Sequence, residues 1–247
     1  MSIPFERSFA SHLKSKYWSK KNTKKTSECY KSSHSKYLFD CDKCFHEFEG
    51  ALNSITRGRW CPYCANIILC NNETCKTCLN KSFLSNPKSK CWSKNNVNIP
   101  REMFKSSNKK CLFDCDKCFH EFECKLNDIT NANNWCIYCA NQKLCNNEDC
   151  KTCLNKSFAS HEKRIFWSKN NDKTPRELFK STHTICLFDC ICGHNFETSL
   201  NSITNRNSWC GYCSNPPKFL CNNNDCKTCF NKSFALDFRV GRIGRAS

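Results

Sequence analysis

Short apolar runs, each leading into a cysteine pair, punctuate an otherwise polar chain. The run Tyr37-Leu38-Phe39-Asp40 predicts a short strand entering the pair Cys41/Cys44. Phe45 to Glu49 (Phe-His-Glu-Phe-Glu) predicts the return strand, with Phe45 and Phe48 as core candidates. The second pair, Cys61-Pro62-Tyr63-Cys64, predicts the opening of a short helix through Leu69, whose N-terminus favours thiolate charge. A hairpin, a spacer and a cysteine pair on a helix make a treble-clef arrangement.

The pattern returns three times. Trp18, Trp92 and Trp167, spaced by 74 and then 75 residues, open Trp-Ser-Lys segments that end in Asn22, Asn96 and Asn171. Leu-Phe-Asp-Cys begins at Leu38, Leu112 and Leu187, and Leu-Asn-x-Ile-Thr at Leu52, Leu126 and Leu200. Trp-Cys-x-Tyr-Cys begins at Trp60, Trp135 and Trp209, and Lys-Ser-Phe at Lys81, Lys156 and Lys232. Self-similarity at this period predicts three tandem units, 8–81, 82–156 and 157–232, followed by a flexible basic tail, 233–247, carrying Arg239, Arg242 and Arg245. Units this small hold too little apolar surface to fold on a core alone and call for a staple. The fold class expected is small, metal-stabilised α+β.

The staple is read from 26 cysteines. Met1 to Ala10 has no apolar stretch of the kind that opens a secretion signal, and no apolar run approaches the roughly 18 residues of a membrane span. An intracellular, reducing setting (cytoplasm or nucleus) is therefore expected, where paired C-x2-C motifs signify zinc rather than disulfides. Cys41, Cys44, Cys61 and Cys64 in the first unit, and Cys115, Cys118, Cys136 and Cys139 in the second, have the C-x2-C…C-x2-C spacing of a closed tetrahedral site. The third unit departs with Cys190-Ile191-Cys192-Gly193-His194. Its C-x-C pair fits one ion less easily, so the candidates are Cys190 or Cys192 with His194, Cys210 and Cys213. His46 and His120, at the matching place, read as structural histidines because their four cysteines already suffice.

A second cluster, C-x4-C-x2-C, follows in each unit: Cys70, Cys75, Cys78; Cys145, Cys150, Cys153; Cys221, Cys226, Cys229. Each lacks a fourth ligand. His161, eight residues beyond Cys153, is one candidate, although its counterparts are Asn86 and Asp237. Cys91 is another candidate in the first unit. Cys111 and Cys186 read as buried thiols.

The formal charge is +17, and three all-cysteine zinc sites at −2 each would lower it to +11. A coding bias toward Lys and Asn could produce this surplus without function. A basic balance otherwise favours a polyanionic partner. Lys20, Lys94 and Lys169, and Lys31, Lys105 and Lys180, recur in register, as do Lys76, Lys151, Lys227 and Lys81, Lys156, Lys232. Only 10 of the 39 basic residues are Arg, the side chain suited to reading guanine, so the pattern suits the phosphate backbone rather than base sequence. Most aromatic residues sit beside ligands or unit boundaries and are expected in the core.

Each unit resembles the zinc-ribbon or treble-clef repeat found in tandem in proteins of giant DNA viruses and in bacterial and plant proteins. The resemblance rests on the Trp-Ser-x-x-Asn start, Lys-Ser-Ser, Phe-x-Cys-x-x-Cys-x-His-x-Phe, Ile-Thr and Trp-Cys-Pro-Tyr-Cys, and covers residues 8 to 232. It implies the four treble-clef ligands in the first two units. It also implies a viral setting, in host cell or virion. Fusion of some relatives to restriction-endonuclease-like domains implies association with nucleic acid.

The expectation is a non-enzymatic zinc repeat protein that binds DNA or RNA with low sequence specificity, with no membrane partner. A protein-interaction scaffold is the alternative. A nuclease is the remote one, since it needs a general-base His and an open metal position, and His46, His120 and His194 lie inside the knuckles.

Overall fold

A computed structural model describes residues 2–223 and 225–233; the expected tail beyond residue 233 lies outside them. The chain divides into two compact units, 1–136 and 137–247, so the division falls inside the second expected repeat.

The first unit holds two copies of a small hairpin motif. Strands β1 (Lys36–Asp40) and β2 (Glu47–Ala51) pair antiparallel, with Phe39 opposite Phe48, and run into helix α1 (Leu52–Thr56). Leu52 and Ile55, one helical turn apart, are the residues α1 buries. Helix α2 (Lys76–Lys81) follows the second cysteine cluster. The second copy has β3 (Lys110–Asp114), β4 (Glu121–Lys125) and α3 (Leu126–Asn131), with Phe113 opposite Phe122. In the second unit, helix α4 (Lys151–Lys156) precedes the third copy: β5 (Ile185–Asp189), β6 (Asn195–Ser199), α5 (Leu200–Arg206) and α6 (Lys227–Phe230). Each copy is a small α+β treble-clef unit, as expected.

Five aromatic rings build each core. Phe39, fully buried, lies 5.4–5.8 Å from Phe9, Trp18, Phe48 and Trp60. Phe113 collects Phe83, Trp92, Phe122 and Trp135 in the same way, and Phe188 collects Phe158, Trp167, Phe196 and Trp209. Edge-to-face contacts predominate, the arrangement that ring quadrupoles favour.

The Trp-Ser-x-x-Asn signature has a structural reason. The Asn22 side chain copies a peptide group: its Nδ2 donates to Leu38 O at 2.7 Å and its Oδ1 accepts from Leu38 N at 2.9 Å. It thereby satisfies the outer edge of β1, which no third full strand covers. Asn96 does the same for Leu112, and Asn171 for Leu187.

Consecutive repeats are joined without a linker. α2 ends at Lys81, Ser82 is fully buried, and Phe83 N donates to Met103 O at 2.7 Å. At the corresponding place in the second unit, Phe158 N donates to Leu178 O at 2.8 Å.

Three local expectations differ from the structure. Phe45 is not in the core: it sits at φ +59° on the knuckle, 87 % exposed, while Phe48 is buried. The return strand accordingly starts at Glu47. The second knuckle opens no helix through Leu69. Ala65 N and Ile67 N close a turn on Cys61 O and Pro62 O, and Asn66 adopts a left-handed conformation at φ +57°, which ends the turn. Helices form instead at α1 and α2, and no described helix is long and apolar enough to cross a membrane.

Candidate metal centres

The first set is held by two knuckles. Cys41 N donates to His46 O at 2.9 Å and Phe45 N to Cys41 O at 3.1 Å, a closed turn at the end of the hairpin that points Cys41 and Cys44 inward. Cys61 and Cys64 come from the loop after α1. The Sγ atoms of Cys41 and Cys64 lie 3.6 Å apart and those of Cys44 and Cys61 3.4 Å apart, with all four within 4.8 Å of one another. A tetrahedral ion with metal–sulfur bonds of about 2.3 Å has sulfur–sulfur edges of about 3.8 Å, so the set fits one ion. Burial pushes the Cys61 thiol up and Cys64 up to about 11. At Cys41 burial acts the same way but is outweighed by the N–H groups of Cys44 and Lys43 and by the neighbouring thiols, which bring it to about 7. Two packed thiols that resist ionisation, Cys61 and Cys64, sit in the environment a cation relieves. Lys81, at the end of α2, donates through Nζ to Tyr63 O at 2.7 Å and Cys64 O at 3.4 Å, tying the second knuckle down.

The third repeat keeps both of its closely spaced cysteines in the set. Cys190 Sγ lies 3.5 Å from Cys213 Sγ, and Cys192 Sγ 3.7 Å from Cys210 Sγ. The knuckle is one residue shorter, yet Cys190 N still donates to His194 O at 2.9 Å, so the deletion is absorbed inside the loop. His194 is therefore not needed to replace a thiolate there.

The knuckle histidine turns outward to a second set. His46 Nε2 lies 3.3 Å from Cys75 Sγ and 3.5 Å from Cys78 Sγ, and Cys70 completes a group of four within 4.8 Å. The His46 ring is stacked on Tyr63 at 4.2 Å. In the third repeat His194 Nε2 lies 3.4 Å from Cys226 Sγ and 3.5 Å from Cys229 Sγ, with the ring stacked on Tyr212. His46 and His194 thus supply the fourth donor that the C-x4-C-x2-C clusters lack. His161 stands elsewhere: its Nδ1 accepts from Lys163 N and its ring stacks on Phe158. Cys91 is likewise outside the cluster, with burial and the nearby Asp116 raising its thiol pKa. The signal available beforehand was a His at one fixed knuckle position in all three repeats, matched in number by three clusters each one donor short.

The second repeat carries the same residues in the same order, with one more residue between its two cysteine pairs. In the first unit, Cys118 Sγ lies 3.4 Å from Cys136 Sγ and Cys115 N donates to His120 O at 3.0 Å, as in repeat one. In the second unit, Cys145 N donates to Cys153 Sγ at 3.4 Å, as Cys70 N does to Cys78 Sγ. Cys139 and Cys150 occupy the places of Cys64 and Cys75.

An arginine locks the second cluster to the repeat that follows it. Arg101, 9 % exposed, donates through Nη2 to Cys70 Sγ at 3.8 Å and Asn72 O at 2.9 Å. Arg176 makes the same pair with Cys145 Sγ at 3.7 Å and Asn147 O at 2.8 Å. The remaining guanidinium nitrogens are buried without hydrogen-bond partners, so the thiolate is the counter-charge. At Cys70 burial opposes ionisation, but His46 and the Asn72 N–H bring the thiol down to about 6. Ser27 occupies the corresponding place in repeat one.

The lysines divide. Lys20, Lys94 and Lys169 are exposed, each following a buried serine. Lys31, Lys105 and Lys180 are half-buried, and their backbone N–H groups pair with Arg7, Lys81 and Lys156 carbonyls. Lys156 and Lys232, like Lys81, are occupied on second-knuckle carbonyls. Cys111 and Cys186 are buried strand residues.

The family model "Probable Treble clef zinc finger domain" matches residues 14–67 and 89–142. An uncharacterized protein of Acanthamoeba polyphaga mimivirus is 35 % identical over 210 residues, which is 83 % of this chain and 51 % of that relative, so the chain spans about half the length of the protein it resembles. The cysteine sets, the hairpin-and-knuckle geometry and the family match together show that the chain carries two tandem domains of the probable treble clef zinc finger family, at residues 14–67 and 89–142.

Proposed function

We propose that the chain is a non-enzymatic zinc protein in which each repeat holds two zinc ions, and that the loaded array binds nucleic acid through the phosphate backbone. By register the first sites are Cys41, Cys44, Cys61, Cys64; Cys115, Cys118, Cys136, Cys139; and Cys190, Cys192, Cys210, Cys213. The second sites are His46 with Cys70, Cys75, Cys78; His120 with Cys145, Cys150, Cys153; and His194 with Cys221, Cys226, Cys229.

One observation carries the reading: four converging sulfur or nitrogen donors fill each set whose geometry is described above, leaving no position for water. Soft donors in a closed tetrahedron select zinc, and closed sites are structural. Three sites at −2 and three at −1 remove nine charges from +17, leaving about +8. A basic surface therefore survives full loading. Its exposed, registered members are Lys20, Lys94 and Lys169, together with Lys76, Lys151 and Lys227. Lys31, Lys105 and Lys180 contribute less, because they are half-buried.

Metal analysis of the purified chain should give about six zinc ions per molecule. Fluorescence anisotropy with labelled DNA and RNA over a salt series should give binding that weakens steeply with salt. A Lys20/Lys94/Lys169→Glu variant that binds as tightly as wild type would sink the phosphate reading and move a protein-interaction scaffold into its place.

A further inference from the structure

The first knuckles of repeats one and two carry a feature that metal binding does not require. Phe45 and Phe119 follow the second cysteine of the knuckle at φ +59° and +57°, a backbone region that bulky L residues rarely enter. In the third repeat the same place is taken by Gly193 at φ +81°, the residue that adopts it without strain. Both phenylalanines are 87 % exposed, and neither makes a ring contact among the described residues. Strain and solvent exposure of a large ring are both unfavourable, and Gly193 closes the corresponding turn in repeat three without either.

A lysine accompanies each ring. Lys43 and Lys117 are exposed two residues before Phe45 and Phe119, with no ion pair among the described residues. The neighbouring acids are already engaged: Asp42 accepts from Trp60 and Lys14, and Asp116 from Trp135 and Lys88. In repeat three the lysine and the ring are lost together, since Ile191-Cys192-Gly193 replaces Asp42-Lys43-Cys44-Phe45.

We propose that the knuckle loops of repeats one and two are base-stacking platforms for single-stranded nucleic acid, Phe45 and Phe119 each taking a base while Lys43 and Lys117 hold the adjoining phosphate. This rests on the nucleic-acid reading above and specifies its substrate. An exposed ring beside an unpaired cation matches an unstacked base on a phosphate chain, whereas bases in a duplex are already stacked and withdrawn.

The test compares wild type with Phe45→Gly/Phe119→Gly, which copies the residue found in repeat three and so relieves strain rather than unfolding the knuckle. Zinc content and melting temperature are checked first and should be unchanged or improved. Anisotropy with a labelled single-stranded oligonucleotide should then show at least about a tenfold loss of affinity, with duplex affinity and the salt slope unchanged. Phe45→Trp/Phe119→Trp should keep the affinity and show fluorescence quenching on binding. Single-strand affinity equal to wild type in the glycine variant would overturn the stacking inference while leaving the phosphate reading standing. Wild type that binds no nucleic acid at low salt would overturn both.

Discussion

The knuckles of repeats one and three close the same turn around different loops. Cys41 N and Cys190 N each donate at 2.9 Å, to His46 O and His194 O respectively. Between them stand four residues in one case and three in the other. The sulfur pairs are nevertheless alike: 3.6 and 3.4 Å in repeat one, 3.5 and 3.7 Å in repeat three. The hydrogen bond back into the hairpin fixes where the first cysteine and the histidine stand, and the loop between them adapts. One consequence separates the two copies. In repeat three the shorter loop brings His194 Nδ1 to 3.2 Å from Cys192 Sγ, whereas His46 Nδ1 is buried without a hydrogen-bond partner. The imidazole of repeat three therefore ties one donor set to the other.

The largest effect expected is common to both copies. Removing all metal with a strong chelator should unfold the chain, because structural zinc contributes on the order of 10–16 kcal/mol in isolated finger peptides, against about 5–15 kcal/mol of net stability for a whole domain. Circular dichroism and limited proteolysis unchanged after complete removal would refute the structural role. Reloading should release protons at neutral pH, since the cysteines of an unfolded chain are mostly thiols there and the metal binds them as thiolates. Calorimetry in two buffers of different ionisation enthalpy measures that release.

Substituting the histidines sharpens the comparison. His46→Ala should remove one zinc from the molecule and leave the Cys41 set loaded. His194→Ala should remove one and also weaken the Cys190 set, whose Cys192 sulfur loses its imidazole neighbour. Native mass spectrometry under graded chelator distinguishes the two. His161→Ala, which lies outside both sets, should leave the count unchanged.

That histidine assignment also marks how far the chain could be read beforehand. The four cysteines of a first site were legible because two C-x2-C pairs act locally, each on one tight turn. The hairpin and the aromatic core followed from apolar runs recurring in register. The second site was not legible in full, because His46 meets Cys75 and Cys78 only after about thirty residues of chain fold back, and spacing along the sequence carries no trace of that return. Phe45 misled for a different reason. Apolar character argues for burial, and a ring held outward at positive φ violates the rule that patterning assumes.

A smaller effect belongs to the repeat junction. Arg101→Ala removes a charge-assisted contact to the Cys70 sulfur and the hydrogen bond to Asn72 O, and should destabilise the first unit by about 2 kcal/mol. Chelators should then extract zinc faster from the His46 set than from the Cys41 set. Equal extraction rates would mean that the guanidinium packs against the cluster without stabilising its charge.

The smallest effect tests a place where the two copies do not differ. Asn22 and Asn171 use both amide atoms on one backbone residue, donating to its carbonyl and accepting from its N–H. Asn22→Ala forfeits three hydrogen bonds at a half-buried strand edge, two with Leu38 and one to Ser19 O, worth about 1–2 kcal/mol together because water satisfies part of the loss. Asn22→Asp should be worse than Ala despite its closer shape. One carboxylate oxygen can still accept from Leu38 N, but the other now faces Leu38 O, acceptor against acceptor, and carries charge into a site that offered a donor. Chemical denaturation should therefore rank the series wild type, Ala, Asp in repeat one, with the same order for Asn171 in repeat three. If Asp equals wild type, a single bond to Leu38 N holds the edge and the mimicry of a full peptide group is incidental.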